Sequence, residues 1–201
     1  MKVIGLCGSS GSGKGYVCAI FEEYNVKCID TDQVYKDLTL PNAPCVVELV
    51  GYFGKGIINA DGSLNRGELA RLVFQDEKSE QNRKALNEIS HRHIRKKTEA
   101  LIKEYEAFGY DATVVDAPVL FESGFDELCD ATICVTAPAD EKLERIIKRD
   151  CITKEQALAR LSKQKSDDEL KNLCDYEIKN TNGFDVREQI ASILKALCII
   201  R

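Results

Sequence analysis

Apolar residues recur with two different periods along this chain, and the alternation between them predicts its architecture. Short runs rich in β-branched residues at Lys2 to Cys7, Val26 to Ile29, Ala112 to Val115 and Ala131 to Val135 read as strands, with a weaker one at Tyr176 to Ile178. Stretches with apolar residues three and four apart separate them, beginning with Lys14 to Tyr24 and ending with Asp185 to Leu197. Parallel strands need long crossovers, and those crossovers are usually helices, so the alternation implies a parallel sheet. The expected fold class is α/β, with helices on both faces of that sheet.

Two stretches interrupt the alternation. About 32–110 holds three helical segments, turn signals at Pro41-Asn42 and Asp61-Gly62, and no convincing central strand, which reads as a helical insertion that covers and binds the acceptor. About 140–173 is helical and dense in charge from Asp140 to Lys171, as a lid would be. The expected organisation is one domain over 1–201, with its core at about 1–31, 111–139 and 174–201. No internal repeat or low-complexity tract suggests a linker.

Between the first strand and the first helix stands Gly8-Ser9-Ser10-Gly11-Ser12-Gly13-Lys14. Glycines let backbone N–H groups turn inward around a triphosphate, a helix beginning at Lys14 adds its positive end, and the lysine reaches the outer phosphates. The string alone is a weak signal; the strand before it and the helix after it are the context that makes it a P-loop. The expected cofactor is ATP, held by Gly8, Gly11, Ser12, Gly13, Lys14, Gly15 and Tyr16, with Mg2+. A Ser or Thr hydroxyl normally follows the lysine and touches the metal, yet Gly15 and then Tyr16 follow Lys14 here.

In an open parallel sheet the ligand lies beyond the carboxyl ends of the strands, where this sequence has Asp30, Asp32 and Asp116. Asp30 and Asp32 stand two apart and, in an extended chain, share a face; either could orient an attacking hydroxyl. Asp32 is the expected base, the alternative being that it caps a helix starting at Gln33. Asp116 either holds magnesium through water or begins the turn before Pro118.

Composition narrows the partners. A net charge of -5 over 201 residues argues against a nucleic-acid surface, and no apolar run is long enough to span a bilayer. The opening residues lack a basic leader or cleavage site, so the expected location is cytoplasmic. Nine cysteines, an odd number with no Cys-x-x-Cys pair, are expected to be mostly buried small apolar residues rather than disulfides or metal ligands. A small phosphorylated metabolite is the expected partner, and no obligate protein partner is inferred.

Beyond the loop, the chain resembles the dephospho-coenzyme A kinases. Ile29-Asp30-Thr31-Asp32 resembles the acidic motif of that family, and Ala60-Asp61-Gly62-Ser63-Leu64-Asn65-Arg66, with Leu69 and Val73-Phe74, is its most specific signal. His91 through Arg95 resembles its His-Pro-x-Ile-Arg stretch, and Asp116 through Gly124 its third-strand motif. Arg145, Arg149-Asp150, Arg160 and Gln164 resemble its lid region, and Asn180 its adenine-side position. The departures are Gly15-Tyr16, where the family usually has Ser-Thr, and Arg92, where it usually has proline. The Gly13-Lys14-Gly15 string resembles that of adenylate kinases, which implies metal held through water and carboxylates.

The resemblance implies transfer of the ATP γ-phosphoryl group to the ribose 3′-hydroxyl of dephospho-coenzyme A, the last step of coenzyme A synthesis. Lys14 would neutralise β- and γ-oxygens, Asp32 would receive the hydroxyl proton, and Arg149 would close over the transferred group. His91, Arg95, Asp32 and Asp116 become acceptor-side candidates, although His91 to Lys97 read from the residues alone is a solvated basic helix face. Two rivals remain. One is another small-molecule kinase, such as a nucleoside monophosphate kinase, against which the Asp61 to Arg66 segment argues. The other is a non-catalytic nucleotide-binding protein, whose GTPase version lacks an Asn-Lys-x-Asp signature.

Overall fold

A computed structural model of the chain describes residues 1–200. It divides into two compact units, Met1–Ile29 with Ile102–Arg201, and Asp30–Leu101. The first is built on strands β1 (Lys2–Cys7), β2 (Lys27–Asp30), β3 (Ala112–Asp116), β4 (Ala131–Thr136) and β5 (Tyr176–Lys179), in the spatial order β2-β3-β1-β4-β5. β1 pairs in parallel with both β3 and β4, and β4 with β5, so Leu6 stands beside Asp116 and Ile133.

Because β1 and β4 are covered on both faces, they read as continuous apolar runs rather than alternating ones, and every residue of β4 is buried. Helix α1 (Lys14–Glu23) turns Val17, Ile20 and Phe21 inward at helical spacing. They join Ile4, Leu6, Val114, Ile133 and Val135 of the sheet and Ile190 and Leu194 of the last helix in one core. Each such side chain contributes roughly 1.5–3 kcal/mol by leaving water.

The unit Asp30–Leu101 holds α2 (Thr31–Leu38), α3 (Pro44–Phe53), α4 (Arg66–Phe74) and most of α5 (Ser79–Ala107), four helices where the sequence pattern suggested three. Its core gathers Cys45, Leu49, Ile57, Leu64, Leu69, Val73 and Ile89. Strand pairing in it is limited to one bridge between Ile58 and Leu64 among the described residues. The charged stretch after β4 forms α6 (Ala139–Asp150), α7 (Lys154–Leu161) and α8 (Asp167–Leu173), and the chain ends on α9 (Val186–Ala196). Capping boxes at Thr153 and Ser166 start α7 and α8, which is why a run so rich in polar residues still forms helices.

Two expectations are corrected by this structure. Only Cys7, Cys45 and Cys134 of the nine cysteines are buried, the others being half-buried or exposed, because most lie on helix flanks and loops rather than in strands. Asp30 does end β2 in extended backbone, but Asp32 does not continue it. The helix begins at Thr31, so Asp30 is its cap and Asp32 sits in its first turn.

Candidate active site

The phosphate loop crosses from β1 to α1 through backbone that only glycine adopts readily: φ is +80° at Gly11 and +95° at Gly13. Close approach adds a second reason. A Cβ at Gly11 would meet the Lys142 carbonyl oxygen at 2.5 Å, and one at Gly13 the Asn180 Nδ2 at 2.0 Å. No side chain caps α1; the Tyr16 N–H donates to the Gly13 carbonyl at 3.0 Å, which leaves the N–H groups of Lys14 and Gly15 to face an anion. The buried Ser12 hydroxyl likewise has no hydrogen-bond partner among the described residues.

Lys14 Nζ donates to the Gly8 carbonyl at 3.1 Å, folding the ammonium back over the loop. It lies 4.0 Å from Asp116 Oδ1 at the end of β3, both side chains being largely buried. A carboxylate beside the lysine is a hard oxygen donor of the kind magnesium takes. Among the described residues no three His, Cys, Asp or Glu side chains gather to hold a metal. The residues therefore fit a cation that keeps most of its own water, and do not form an all-protein cage.

Behind the loop stands a set of braces that sequence reasoning largely missed. Lys142, only 9% exposed, donates to Asp167 Oδ1 at 2.8 Å and to Ser9 Oγ at 3.2 Å. Ser9 Oγ itself donates to Asp167 Oδ1 at 2.9 Å. The one available signal was position: Lys142 stands one turn before Ile146 on the inward face of α6, where a lysine is out of place without a partner. Gln164 Oε1 accepts from the Ser10 N–H at 2.8 Å.

Arg145 spans the other end of the loop. Its Nη1 donates to the Gly11 and Ser12 carbonyls at 3.2 and 3.4 Å, and its Nη2 to Glu141 and to the Asn180 carbonyl. Asn180 Nδ2 also donates to the Ser12 carbonyl at 2.7 Å. With Tyr16 and Phe184, both about half exposed, these residues line a polar cavity of about 570 Å3 next to the loop. Arg149 grips Asp150 through Nε and Nη2 at 2.7 and 2.9 Å, and its Nη2 reaches Ser10 Oγ at 3.4 Å. Arg149, with Arg160 beside it, holds the Asp150 carboxyl down to about 2.

On α2, Asp30 accepts from the N–H groups of Asp32 and Gln33 at 2.8 and 3.1 Å. That capping role belongs to Asp30 and not to Asp32, whose exposed carboxylate stays out of the cap. Asp30 spends Oδ1 on the cap, whereas Asp32 makes no side-chain hydrogen bond among the described residues.

On α5, His91 is half-buried, and burial pushes its imidazole below its usual value. Arg95 bonds Glu99 one turn on, at 3.2 Å. Arg92 and His93 both engage Glu48 of α3, so the basic run is divided between partners rather than forming one free cationic face.

The family model described as dephospho-CoA kinase matches residues 2–185. The dephospho-CoA kinase of Symbiobacterium thermophilum is 36% identical over 199 residues, covering 98% of this chain and 82% of that one. A crystal structure from Thermus thermophilus superposes with a TM-score of 0.80 at 27% identity, covering 98% of this chain and 97% of that one. The dephospho-CoA kinase from Campylobacter jejuni does so with a TM-score of 0.69, also at 27% identity and covering 98% of each chain. With a family match spanning nearly its whole length, the chain belongs to the dephospho-CoA kinase family.

Proposed function

We propose that this protein transfers the γ-phosphoryl group of ATP to the ribose 3′-hydroxyl of dephospho-coenzyme A, completing coenzyme A. The observation that carries the reading is the family match over residues 2–185, joined to a phosphate loop with Lys14 and Asp116 at its mouth. Phosphoryl transfer asks a protein mainly for positioning and charge neutralisation. Gly11, Ser12, Gly13, Gly15 and Tyr16 present the loop and first helical turn to the donor phosphates, and Lys14 neutralises their outer oxygens. Asn180 and Tyr16 belong to the donor's nucleoside side.

Asp32 receives the proton of the attacking hydroxyl, a role supported by its freedom from the helix cap. Arg149, already at Ser10, closes over the transferred group as part of a lid at about 140–173. His91 and Arg95 serve the acceptor within the helical insertion of about 32–110. Magnesium, when bound, would neutralise charge on the phosphates, and Asp116 would hold it through water in the absence of a hydroxyl at Gly15. A net charge of -5 supports a small-molecule partner rather than nucleic acid.

The test is ADP release by purified protein with ATP and magnesium against dephospho-coenzyme A, AMP, pantetheine phosphate and no acceptor. Turnover with dephospho-coenzyme A alone is the expected result. Turnover with AMP alone would make the protein a nucleoside monophosphate kinase instead.

A further inference from the structure

Three thiols gather at the root of the phosphate loop, and the proposed chemistry uses none of them. The sheet places the first two. β1 and β4 run parallel with Cys7 opposite Cys134, and residues paired in this register point to the same face. Both are buried there, and Cys7 is the residue that leads into Gly8. The third thiol comes from α8. Cys174 is the C-cap of that helix, and the next residue fastens it to β4. The Asp175 carboxylate accepts from the Thr132 N–H at 2.8 Å and from its hydroxyl at 2.9 Å, while the Asp175 N–H donates to the Thr132 carbonyl at 3.1 Å. Cys174 Sγ thereby stands 3.4 Å from Cys7 Sγ, and Cys134 hydrogen-bonds the same sulfur.

A buried thiol by itself is usually a small apolar filler. Here the buried Cys7 has a sulfur in van der Waals contact, and that neighbour is only half-buried, so an oxidant arriving from solvent meets Cys174 first. The Cys134 contact pulls the Cys174 thiol down, but the Cys7 contact and burial outweigh it and push it up to about 12. Little thiolate is present at neutral pH, which makes the first oxidation slow. The second step joins sulfurs that already touch, which makes it fast.

We propose that Cys7 and Cys174 are an oxidative modification site, a thiol pair that a peroxide converts to a disulfide and whose closure weakens ATP binding at the phosphate loop. The Cys174 sulfur attacks one peroxide oxygen and the O–O bond breaks, giving a sulfenic acid and, with the thiol proton, one water. The Cys7 sulfur then attacks the sulfenic sulfur, the S–O bond breaks, and hydroxide leaves as water with the Cys7 proton. Two thiols and one hydrogen peroxide become one disulfide and two waters, the two electrons passing from sulfur to the peroxide. A thiol reductant reverses the change by two exchanges.

The bond acts on the loop through α8. Asp167 at the start of that helix already holds Ser9 Oγ at 2.9 Å, so the disulfide ties the other end of the same helix to the residue before Gly8. Joining the sulfurs draws them about 1.4 Å closer. The Gly8 carbonyl accepts from Lys14 Nζ, so a shift at Cys7 reaches the lysine directly. The crowding behind Gly11 and Gly13 leaves the loop no slack to absorb it. A displacement of about 1 Å in a positioned group is enough for a large loss.

The test is treatment of the full chain with hydrogen peroxide, followed by peptide mass spectrometry without reduction and by calorimetric titration with ATP. The wild type should yield a cross-linked Cys7–Cys174 peptide pair, bind ATP at least about tenfold more weakly than before treatment, and recover with dithiothreitol. Cys174→Ser should bind ATP as the untreated wild type does, before and after peroxide. Cys151→Ser, which removes an exposed thiol at the end of α6, should lose affinity on treatment as the wild type does. Absence of the Cys7–Cys174 pair, including a cross-link confined to Cys134 and Cys174, would overturn the proposal. So would a cross-linked protein that binds ATP normally, or an equal loss in Cys174→Ser. Neither readout involves the acceptor, so the outcome is independent of whether dephospho-coenzyme A is the substrate.

Discussion

The phosphate loop and the helices of the unit Asp30–Leu101 treat their polar groups in opposite ways. Around the loop, Ser9, Ser10, Gly11 and Ser12 are tied from behind by Asp167, Gln164, Arg145 and Asn180, and the buried Lys142 closes the set. In the unit Asp30–Leu101, Asp32 is exposed outside its cap, Arg66 and Arg83 face a cavity without carboxylates, and Phe74 stands in water. The donor side is shaped by the protein before any ligand arrives. The helical unit instead leaves Asp32 outside its cap and Arg66 and Arg83 without carboxylate partners among the described residues. A triphosphate is the same in every turnover of every kinase, so a rigid cradle suits it, whereas acceptor choice needs exposed, specific contacts.

The largest expected effect removes chemistry and leaves both sides standing. Asp32→Asn should lower kcat by about 10²- to 10⁴-fold, the range of a lost general base, with ATP affinity by calorimetry unchanged. Full activity in that variant would assign the proton to another group. Next comes the cradle itself. Gly13→Ala carries roughly 1–2 kcal/mol of left-handed backbone strain and drives its Cβ into Asn180, so the KM for ATP should rise at least about tenfold. A normal ATP KM would mean the loop yields easily.

A brace broken from behind should act on folding before it acts on either substrate. Lys142→Met leaves Asp167, whose side chain is 21% exposed, without its ion pair and should cost about 2–3 kcal/mol in chemical denaturation. Adding Asp167→Leu should recover much of that loss; a double variant no better than the single one would count against a charge-pairing role. The smallest effect is electrostatic. The Asp150 carboxyl is held at about 2 against a usual 3.8, so its contribution to stability is present above about pH 4 and fades as pH falls toward 2. Asp150→Asn should therefore lower Tm near pH 6, with the gap to wild type closing on acidification. A gap that stays constant down to pH 2 would show that Arg149 and Arg160 do not act on Asp150 through its charge.

How much of this the sequence disclosed follows the range of the interactions. The five strands and the phosphate loop are local patterns, and β1, β3 and β4 lie where their β-branched runs do, each within a residue or two at the ends. The roles of Asp30 and Asp32 were less legible because a helix start two residues earlier exchanges cap and free carboxylate, and periodicity does not resolve boundaries that finely. The pairing of Lys142 with Asp167 joins residues on α6 and α8 whose proximity is set by packing, and no spacing rule reports it. The turn at Asp61-Gly62 was visible as a turn, but the cavity beside Arg66 also needs Tyr35 and Arg83, which come from α2 and α5.

The crowding at Gly13 bears on how this protein can change over generations. Any side chain at position 13, whatever its chemistry, meets Asn180 first, and shrinking Asn180 beforehand gives up its bond to the Ser12 carbonyl. Each single step is therefore unfavourable in either order, and even the paired change retains the backbone penalty of φ +95°. Mutational drift therefore finds this point of the loop closed to it for at least two steps.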